Sequence, residues 1–138
     1  MRKVKYEKIK PGDLVEVPRT QFAPNRRGWN GWLFSNAIVL SKGAGKKTGK
    51  PCITVEMMVP GKSKREYRTL KKTFFAEHVF YTNSLEYAKQ FLEEDGIKTR
   101  KEFDEFIARE DVTGCDWIKF LADKGFIFAS GAAEGQQA

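Results

Sequence analysis

The chain has 138 residues, a formal net charge of +7, 41% hydrophobic residues and 13% aromatic residues. This length suits one domain, or a small domain with an appendage, and the apolar content is too high for a disordered chain. No stretch approaches the roughly 18 apolar residues of a membrane-spanning helix, and the start lacks the apolar run of a signal peptide. We therefore expect an intracellular protein, cytoplasmic or associated with a nucleoid or nucleus, without a membrane partner.

Five short strands are predicted in the first part of the chain. Runs of β-branched residues between Gly and Pro turns favour extended structure over helix. Pro18 is expected to end the first strand, and the Gly- and Lys-rich segment 41–51 is expected to be a loop. Strands in such close succession indicate a small antiparallel barrel. The predicted strands cover residues 14–17, 32–40, 52–59, 65–70 and 78–81.

A helical pattern replaces the strand pattern after residue 82. Asn83 with Glu86, and Thr99 with Glu102, have the spacing of a capping box at a helix start. Glycines are expected to end the first and the third helix. The sequence therefore predicts an α+β fold, in which a small antiparallel β-barrel precedes a short helical C-terminal segment. The apolar residues expected in the helical core are Ala88, Phe91, Leu92, Phe103, Phe106, Ile107, Trp117, Phe120 and Leu121.

Charge is divided unevenly along the chain. Residues 1–82 hold 18 Lys and Arg against 6 Asp and Glu, whereas residues 83–138 hold 7 against 12. We therefore predict a basic barrel over 1–82, an acidic helical appendage over 83–129 and a flexible tail over 130–138. An excess of positive charge in one part of a chain favours a polyanionic partner for that part.

The motifs of the basic part resemble those of a known barrel family. They are GDLVEV at 12–17, GWNGW at 28–32, AIV at 37–39 and the strand centred on Val55. Over residues 10–81 this succession resembles the SH3-like barrel of Tudor and Agenet domains. The Gly-Asp-x-Val-x-Val opening is also similar to the KOW-type barrels of transcription and translation factors. The resemblance implies that the predicted β-barrel is of the small SH3-like antiparallel type.

Basic residues concentrate where loops or strand edges are predicted. Lys and Arg neutralise phosphates and release counterions, which gives sequence-independent and salt-sensitive affinity for nucleic acid. An exposed aromatic side chain beside them can stack on a base. We predict a non-enzymatic nucleic-acid-binding protein that acts on duplex DNA rather than RNA, with little sequence preference. The predicted contact residues are Arg26, Arg27, Trp29, Lys42, Lys46, Lys47, Lys50, Lys62, Lys64, Arg65, Arg68, Lys71 and Lys72.

Two alternative functions use other parts of the chain. Tudor-type domains hold methylated Lys or Arg in a cage of aromatic rings by cation–π attraction, so the resemblance implies a peptide reader as the first alternative. The second is an adaptor or inhibitor, for example a viral one, that binds a basic host protein or polymerase through the acidic helices. Trp32, Phe34 and Phe80 also have a competing interpretation as barrel core. The candidate aromatic pocket consists of Trp29, Trp32, Phe34 and Tyr67, with Phe80 as a further member.

Patterns of catalysis and cofactor binding are missing from the sequence. The loop 43–51 lacks the glycine spacing and the hydroxyl residue of a phosphate-binding loop. His78 is the single histidine of the chain and is assigned a structural role. Cys52 and Cys115 form neither a disulfide framework nor a metal-ligand cluster, so we predict buried structural thiols. The sequence therefore predicts no enzymatic activity, no metal and no cofactor.

Overall fold

The computed structural model describes four ranges of the chain. Within them, four antiparallel strands are followed by three α-helices. This order confirms the predicted α+β class, with the strands in the basic part and the helices in the acidic part. The described residues are 2–21, 32–62, 66–109 and 114–128.

The chain divides into two compact units. The sheet unit comprises Met1–Val59 and Thr69–Thr82, and the helical unit comprises Pro60–Arg68 and Asn83–Ala138. The helical unit therefore contains the tip of a β-hairpin in addition to the helices. With this division, the sheet unit carries 14 Lys and Arg against 5 Asp and Glu. The positive charge of the chain thus stays concentrated in the sheet unit.

The strands form one sheet in which each pairs with its neighbour in sequence. The strand order is β1-β2-β3-β4, and the register places Leu14 opposite Ile38 and Ala37 opposite Met57. Two short 3-10 turns flank the sheet. The strands are β1 (Leu14–Gln21), β2 (Trp32–Ala44), β3 (Pro51–Pro60) and β4 (Tyr67–Phe75), and the 3-10 turns are Tyr6–Lys8 and Ala76–His78.

Alternate residues of the first three strands form the core of the sheet unit. Val15 and Val17 of β1, Val39 of β2, and Ile53 and Val55 of β3 are all at most 1% exposed. Successive side chains of a strand point to opposite faces of a sheet, so every second residue faces the core. The residues between them remain available for surface contacts.

β1 continues through Pro18, where the sequence predicted its end. Pro18 pairs with Phe34, and the register against β2 shifts between Pro18 and Thr20, as in a β-bulge. A bulge interrupts the ladder of hydrogen bonds, so a residue without an N–H is tolerated there. The prediction that Pro18 ends the strand was therefore wrong.

β2 also continues further than predicted. Ser41 pairs with Thr54, and Ala44 pairs with Pro51, so the ladder between β2 and β3 runs into the predicted loop. Pairing of backbone groups does not require apolar side chains, which explains why a Gly- and Lys-rich sequence is extended here. The predicted loop is reduced to a tight turn between the two strands.

The predicted fifth strand is reduced to one bridging residue, Phe80, that follows a 3-10 turn. Ala76–His78 form the turn, and Phe80 then bridges antiparallel to both Glu16 and Lys3. The turn leaves too few extended residues for a longer ladder, so the described strands do not close into the predicted barrel. A small antiparallel sheet whose chain returns to its first strand is nevertheless compatible with an SH3-like fold.

Three α-helices lie in the described part of the acidic segment. The prediction that apolar stripes form their core is confirmed for Ala88, Leu92, Phe103, Phe120 and Leu121, each at most 5% exposed. The other stripe residues are half-buried. No helix among the described residues is long and apolar enough to cross a membrane. The helices are α1 (Ser84–Glu94), α2 (Arg100–Ile107) and α3 (Asp116–Asp123).

A capping box begins α2, as predicted. The Thr99 hydroxyl accepts a hydrogen bond from the Glu102 N–H at 3.1 Å, and the Glu102 carboxylate accepts one from the Thr99 N–H at 3.0 Å. The other predicted capping box is wrong, because the Asn83 side chain makes no capping hydrogen bond to α1. Gly96 ends α1 with φ +69°, a conformation that favours glycine after a helix.

Thr99→Ala is expected to lower the free energy of unfolding by about 1 kcal/mol, because the first-turn N–H of α2 loses its acceptor. Urea unfolding followed by circular dichroism measures this change. Lys101→Ala, at an exposed position of the same turn, is the matched control and should leave the urea concentration at the unfolding midpoint almost unchanged. Equal midpoints for Thr99→Ala and the control would contradict the stabilising role of the cap.

Candidate nucleic-acid interface

The turn between β2 and β3 presents two of the predicted contact residues. The Gly45 N–H donates to the Lys50 carbonyl, and the Gly49 N–H donates to the Gly45 carbonyl, each at 2.8 Å. These bonds close a tight turn in which Lys46 and Lys47 are exposed. The structure thus holds two ammonium groups at the tip of a hairpin, where a phosphate can approach them.

β4 carries a second pair of exposed lysines. Lys71 and Lys72 lie within the strand rather than after it, and both are exposed. The Nζ atom of Lys72 lies 5.3 Å from the centre of the Phe74 ring. Lys50 makes a similar contact, with its Nζ atom 5.6 Å from the centre of the Phe75 ring. Lysines of the sheet unit therefore rest on aromatic rings.

Lys42 is held by the N-terminal 3-10 turn. Its Nζ atom donates to the Tyr6 carbonyl at 2.8 Å and lies 4.9 Å from the centre of the Tyr6 ring. One of its three donors is therefore committed within the protein. Lys42 supplies positive charge to the surface but has less freedom than Lys46 or Lys47 to meet a phosphate.

The remaining predicted contacts divide between the helical unit and residues outside the described ranges. Lys62 and Arg68 are exposed and belong to the helical unit. The sheet unit contains six of the predicted contact residues, Lys42, Lys46, Lys47, Lys50, Lys71 and Lys72. The predicted contacts outside the described residues are Arg26, Arg27, Trp29, Lys64 and Arg65.

A cavity of about 460 Å³ opens in the sheet unit. Phe34 and Phe80 line it and are half-buried, with ring centres 5.6 Å apart and ring planes at 89°. Phe74 of β4 adds a third ring, and Pro18 lies beside Phe34 in the register of the sheet. Phe34 and Phe80 therefore line a cavity and are not part of the buried core, which corrects that interpretation for both residues.

Positively charged and hydrogen-bonding groups surround the aromatic rings of this cavity. Arg19, Lys72 and His78 line it, and no Asp or Glu is found among its described lining residues. A guanidinium group and an ammonium group attract anions, and an imidazole can donate a hydrogen bond. The cavity therefore combines apolar surfaces for a flat ring with groups suited to a negative charge.

The four residues of the predicted aromatic pocket have different positions. Phe34 lines the cavity, whereas the Tyr67 ring packs against Phe120 in the helical unit, at 5.4 Å and 89°. Trp32 is the first residue of β2, and Trp29 lies outside the described residues. The predicted pocket remains a prediction, while Phe34 takes part in a different aromatic site.

Sequence reasoning missed Arg19, Phe74 and His78 as cavity residues. Arg19 follows Pro18, where the first strand was expected to end, and the sequence predicts a structural role for His78. β4 extends from Tyr67 to Phe75, beyond the predicted end of the fourth strand at residue 70. The exposed lysines Lys71 and Lys72 are a sequence signal that could have predicted this continuation on a solvent-facing strand. A predicted fourth strand of that length would have included Phe74, near the segment that contains Phe80.

Tyr67 belongs to a polar network around Asp123. The Tyr67 hydroxyl donates to one Asp123 carboxylate oxygen, and Arg100 donates to the other at 2.7 Å. Lys119 lies 3.2 Å from the same carboxylate. Burial alone would raise the pKa of Asp123, but the hydrogen bonds from Tyr67, Arg100 and Lys119 outweigh burial and lower this pKa. The carboxylate thus stays ionised and joins the hairpin tip to α2 and α3 within the helical unit.

The two cysteines are both free thiols. Cys115 is 2% exposed, and burial, with smaller contributions from Asp116 and Asp95, raises the pKa of its thiol. Cys52 is half-buried, with its Sγ atom 3.5 Å from the Lys50 carbonyl. Across the described ranges, no three His, Cys, Asp or Glu side chains group so as to hold a metal ion.

Comparisons with protein-family models, curated proteins and solved structures find no match to this chain.

Asp123→Asn is expected to lower the free energy of unfolding at pH 7 by about 1–2 kcal/mol, because a neutral amide replaces the ionised acceptor. The lowered pKa of Asp123 means that its contribution is present above the ordinary carboxyl range. That contribution should disappear as the pH falls through the folded-state pKa, so wild type and variant should converge at low pH.

Denaturant unfolding between pH 3 and pH 7 measures this convergence. Glu105→Gln removes an exposed carboxylate of α2 and serves as the matched control. A constant difference between wild type and Asp123→Asn across the whole pH range would show that the charge of Asp123 does not stabilise the unit.

Proposed function

We propose that the sheet unit has an SH3-like fold, related to the Tudor, Agenet or KOW type, and binds nucleic acid without enzymatic activity. The observation that most directly supports this proposal is the group of exposed lysines Lys46, Lys47 and Lys71. They belong to a unit that has 14 Lys and Arg against 5 Asp and Glu. Such groups neutralise phosphates and release counterions. Binding is therefore expected with little dependence on base sequence.

Phosphate contacts set the affinity but not the form of the nucleic acid. Duplex DNA, the substrate expected from the sequence, presents phosphates at higher linear density than a single strand. Charge attraction alone therefore favours duplex DNA, while RNA and single strands bind by the same mechanism. Any stronger preference must come from contacts with bases.

The cationic lining of the cavity favours nucleic acid over a methylated peptide. A cage for methylated lysine attracts a positive charge to aromatic faces. Arg19 and Lys72 would repel that charge, and no carboxylate among the described lining residues would offset them. The adaptor function of the acidic helices remains a separate prediction, which concerns the helical unit.

Replacing Lys46, Lys47 and Lys71 together by Gln should weaken binding to duplex DNA and make it less dependent on salt. A plot of log K against log salt concentration should become less steep by about 2 to 3, since each phosphate contact contributes about 0.9. Fluorescence anisotropy of a labelled duplex over a series of salt concentrations measures both quantities.

The control replaces Lys89, Lys98 and Lys101 of the helical unit by Gln, which removes the same charge from exposed positions. This control should keep the salt dependence of the wild type. Equal slopes for the two triple variants would mean that net charge, rather than the surface of the sheet unit, governs binding. Binding that stays weak and unchanged between low and moderate salt would refute the proposed function.

A further inference from the structure

We infer that the aromatic cavity takes one unpaired nucleobase of a single-stranded nucleic acid and that Arg19 and Lys72 hold an adjoining phosphate. This inference rests on the proposed function and specifies the form of nucleic acid that the sheet unit prefers. The volume of about 460 Å³ falls within the range of roughly 300–1,000 Å³ that is usual for small-ligand sites. A single base fits this size class, whereas a stacked duplex does not.

The two perpendicular rings of the cavity suit a flat aromatic ligand. Phe34 and Phe80 lie at 89°, so a base that stacks on one ring presents its edge to the face of the other. Offset stacking and edge-to-face contact are the preferred arrangements of aromatic pairs. Every nucleobase has a π-face, so these contacts bind a base without selecting its identity.

The sheet holds both rings in place before any ligand binds. Phe34 is paired with Pro18 in the ladder between β1 and β2, and Phe80 is bridged to Glu16 on the other side of β1. The two phenylalanines thus lie on the two neighbours of one strand. Because the backbone fixes their positions, little conformational entropy is lost when a base enters.

The polar groups of the cavity match the charge of a nucleotide. Arg19 offers a guanidinium fork suited to phosphate oxygens, and Lys72 offers an ammonium group next to the Phe74 ring. No Asp or Glu is found among the described lining residues, so the charged side chains of that lining are positive. A duplex covers the faces of its bases by stacking, so a base must be unpaired or extruded to reach the rings.

The test compares single-stranded oligothymidine of about twelve nucleotides with an abasic oligomer that has the same number of phosphates. The full chain should bind the oligothymidine about five- to a hundredfold more tightly, because the abasic oligomer has no base to stack. Fluorescence anisotropy at one low salt concentration measures both affinities. Oligouridine and a blunt duplex, measured in parallel, distinguish RNA and paired DNA from the single-stranded DNA ligand.

Phe34→Leu and Phe80→Leu keep apolar volume in the cavity but remove an aromatic face. Each should abolish most of the difference between the two oligomers while leaving affinity for the abasic oligomer unchanged. Tyr87→Leu is the matched control, because Tyr87 is an exposed aromatic residue of α1 in the helical unit. Lys72→Gln should weaken binding of both oligomers, and a series of salt concentrations should show a slope lower by about 0.7, the value for one phosphate contact of a single strand.

The outcomes separate this inference from the proposed function. Equal affinity of the wild type for oligothymidine and the abasic oligomer would overturn the inference while leaving phosphate binding intact. The inference would also be overturned if both Leu variants kept the full difference in affinity between the two oligomers while their circular dichroism spectra stayed unchanged. Loss of the difference in Phe34→Leu and Phe80→Leu, with Tyr87→Leu behaving as wild type, is the expected result. Failure of every nucleic acid to bind would overturn the proposed function itself.

Discussion

The sheet unit depends on two backbone hydrogen bonds that return the chain to β1. The Glu16 N–H donates to the Phe80 carbonyl at 2.8 Å, and the Phe80 N–H donates to the Glu16 carbonyl at 2.9 Å. The same short segment, Val79 and Phe80, also contacts the N-terminal residues, because the Val4 N–H donates to the Val79 carbonyl at 3.0 Å. The segment is thus paired with the N-terminal residues as well as with β1. Without this pairing, neither Val79 nor Phe80 would have a fixed position.

Neighbouring residues of this short segment have different roles, because one side chain packs in the core and the next lines the cavity. Val79 is fully buried among the core residues, while the next side chain, Phe80, lines the cavity. β1 repeats this pattern, since Val17 is fully buried and Pro18 lines the cavity. Because successive side chains of extended backbone point to opposite faces, one register fixes the core and the cavity together. A slip of one residue would exchange the two sets.

The elements that the sequence predicted well are those with local causes. The capping box of Thr99 and Glu102 and the apolar stripe around Phe103 each depend on residues three or four positions apart, which the sequence displays directly. The lysines at the tip of the β2–β3 hairpin follow in the same way from turn chemistry. The division of charge and the start of α2 were accordingly predictable without the structure.

The cavity could not be predicted, because its residues come from four separate parts of the chain. Phe34 and Phe80 become neighbours through strand pairing, and no local pattern specifies that register. The bulge after Pro18 keeps Arg19 in a strand that the proline alone was expected to end. Phe74 enters through the continuation of β4 beyond its predicted end. The predicted aromatic pocket contained Phe34 but omitted the cationic residues that define the chemistry of the cavity.

The way in which each lysine is held determines what it can contribute to phosphate binding. Lys42 already donates to the Tyr6 carbonyl, so a direct phosphate contact would break that hydrogen bond. Lys72 instead rests on the Phe74 ring, and an interaction with a ring face leaves its N–H donors available. Its side chain has also lost part of its rotamer freedom before binding, which reduces the entropic cost of a phosphate contact. The exposed lysines of the sheet unit therefore all contribute to phosphate binding, and Lys72 is the one that the Phe74 ring already holds beside the cavity.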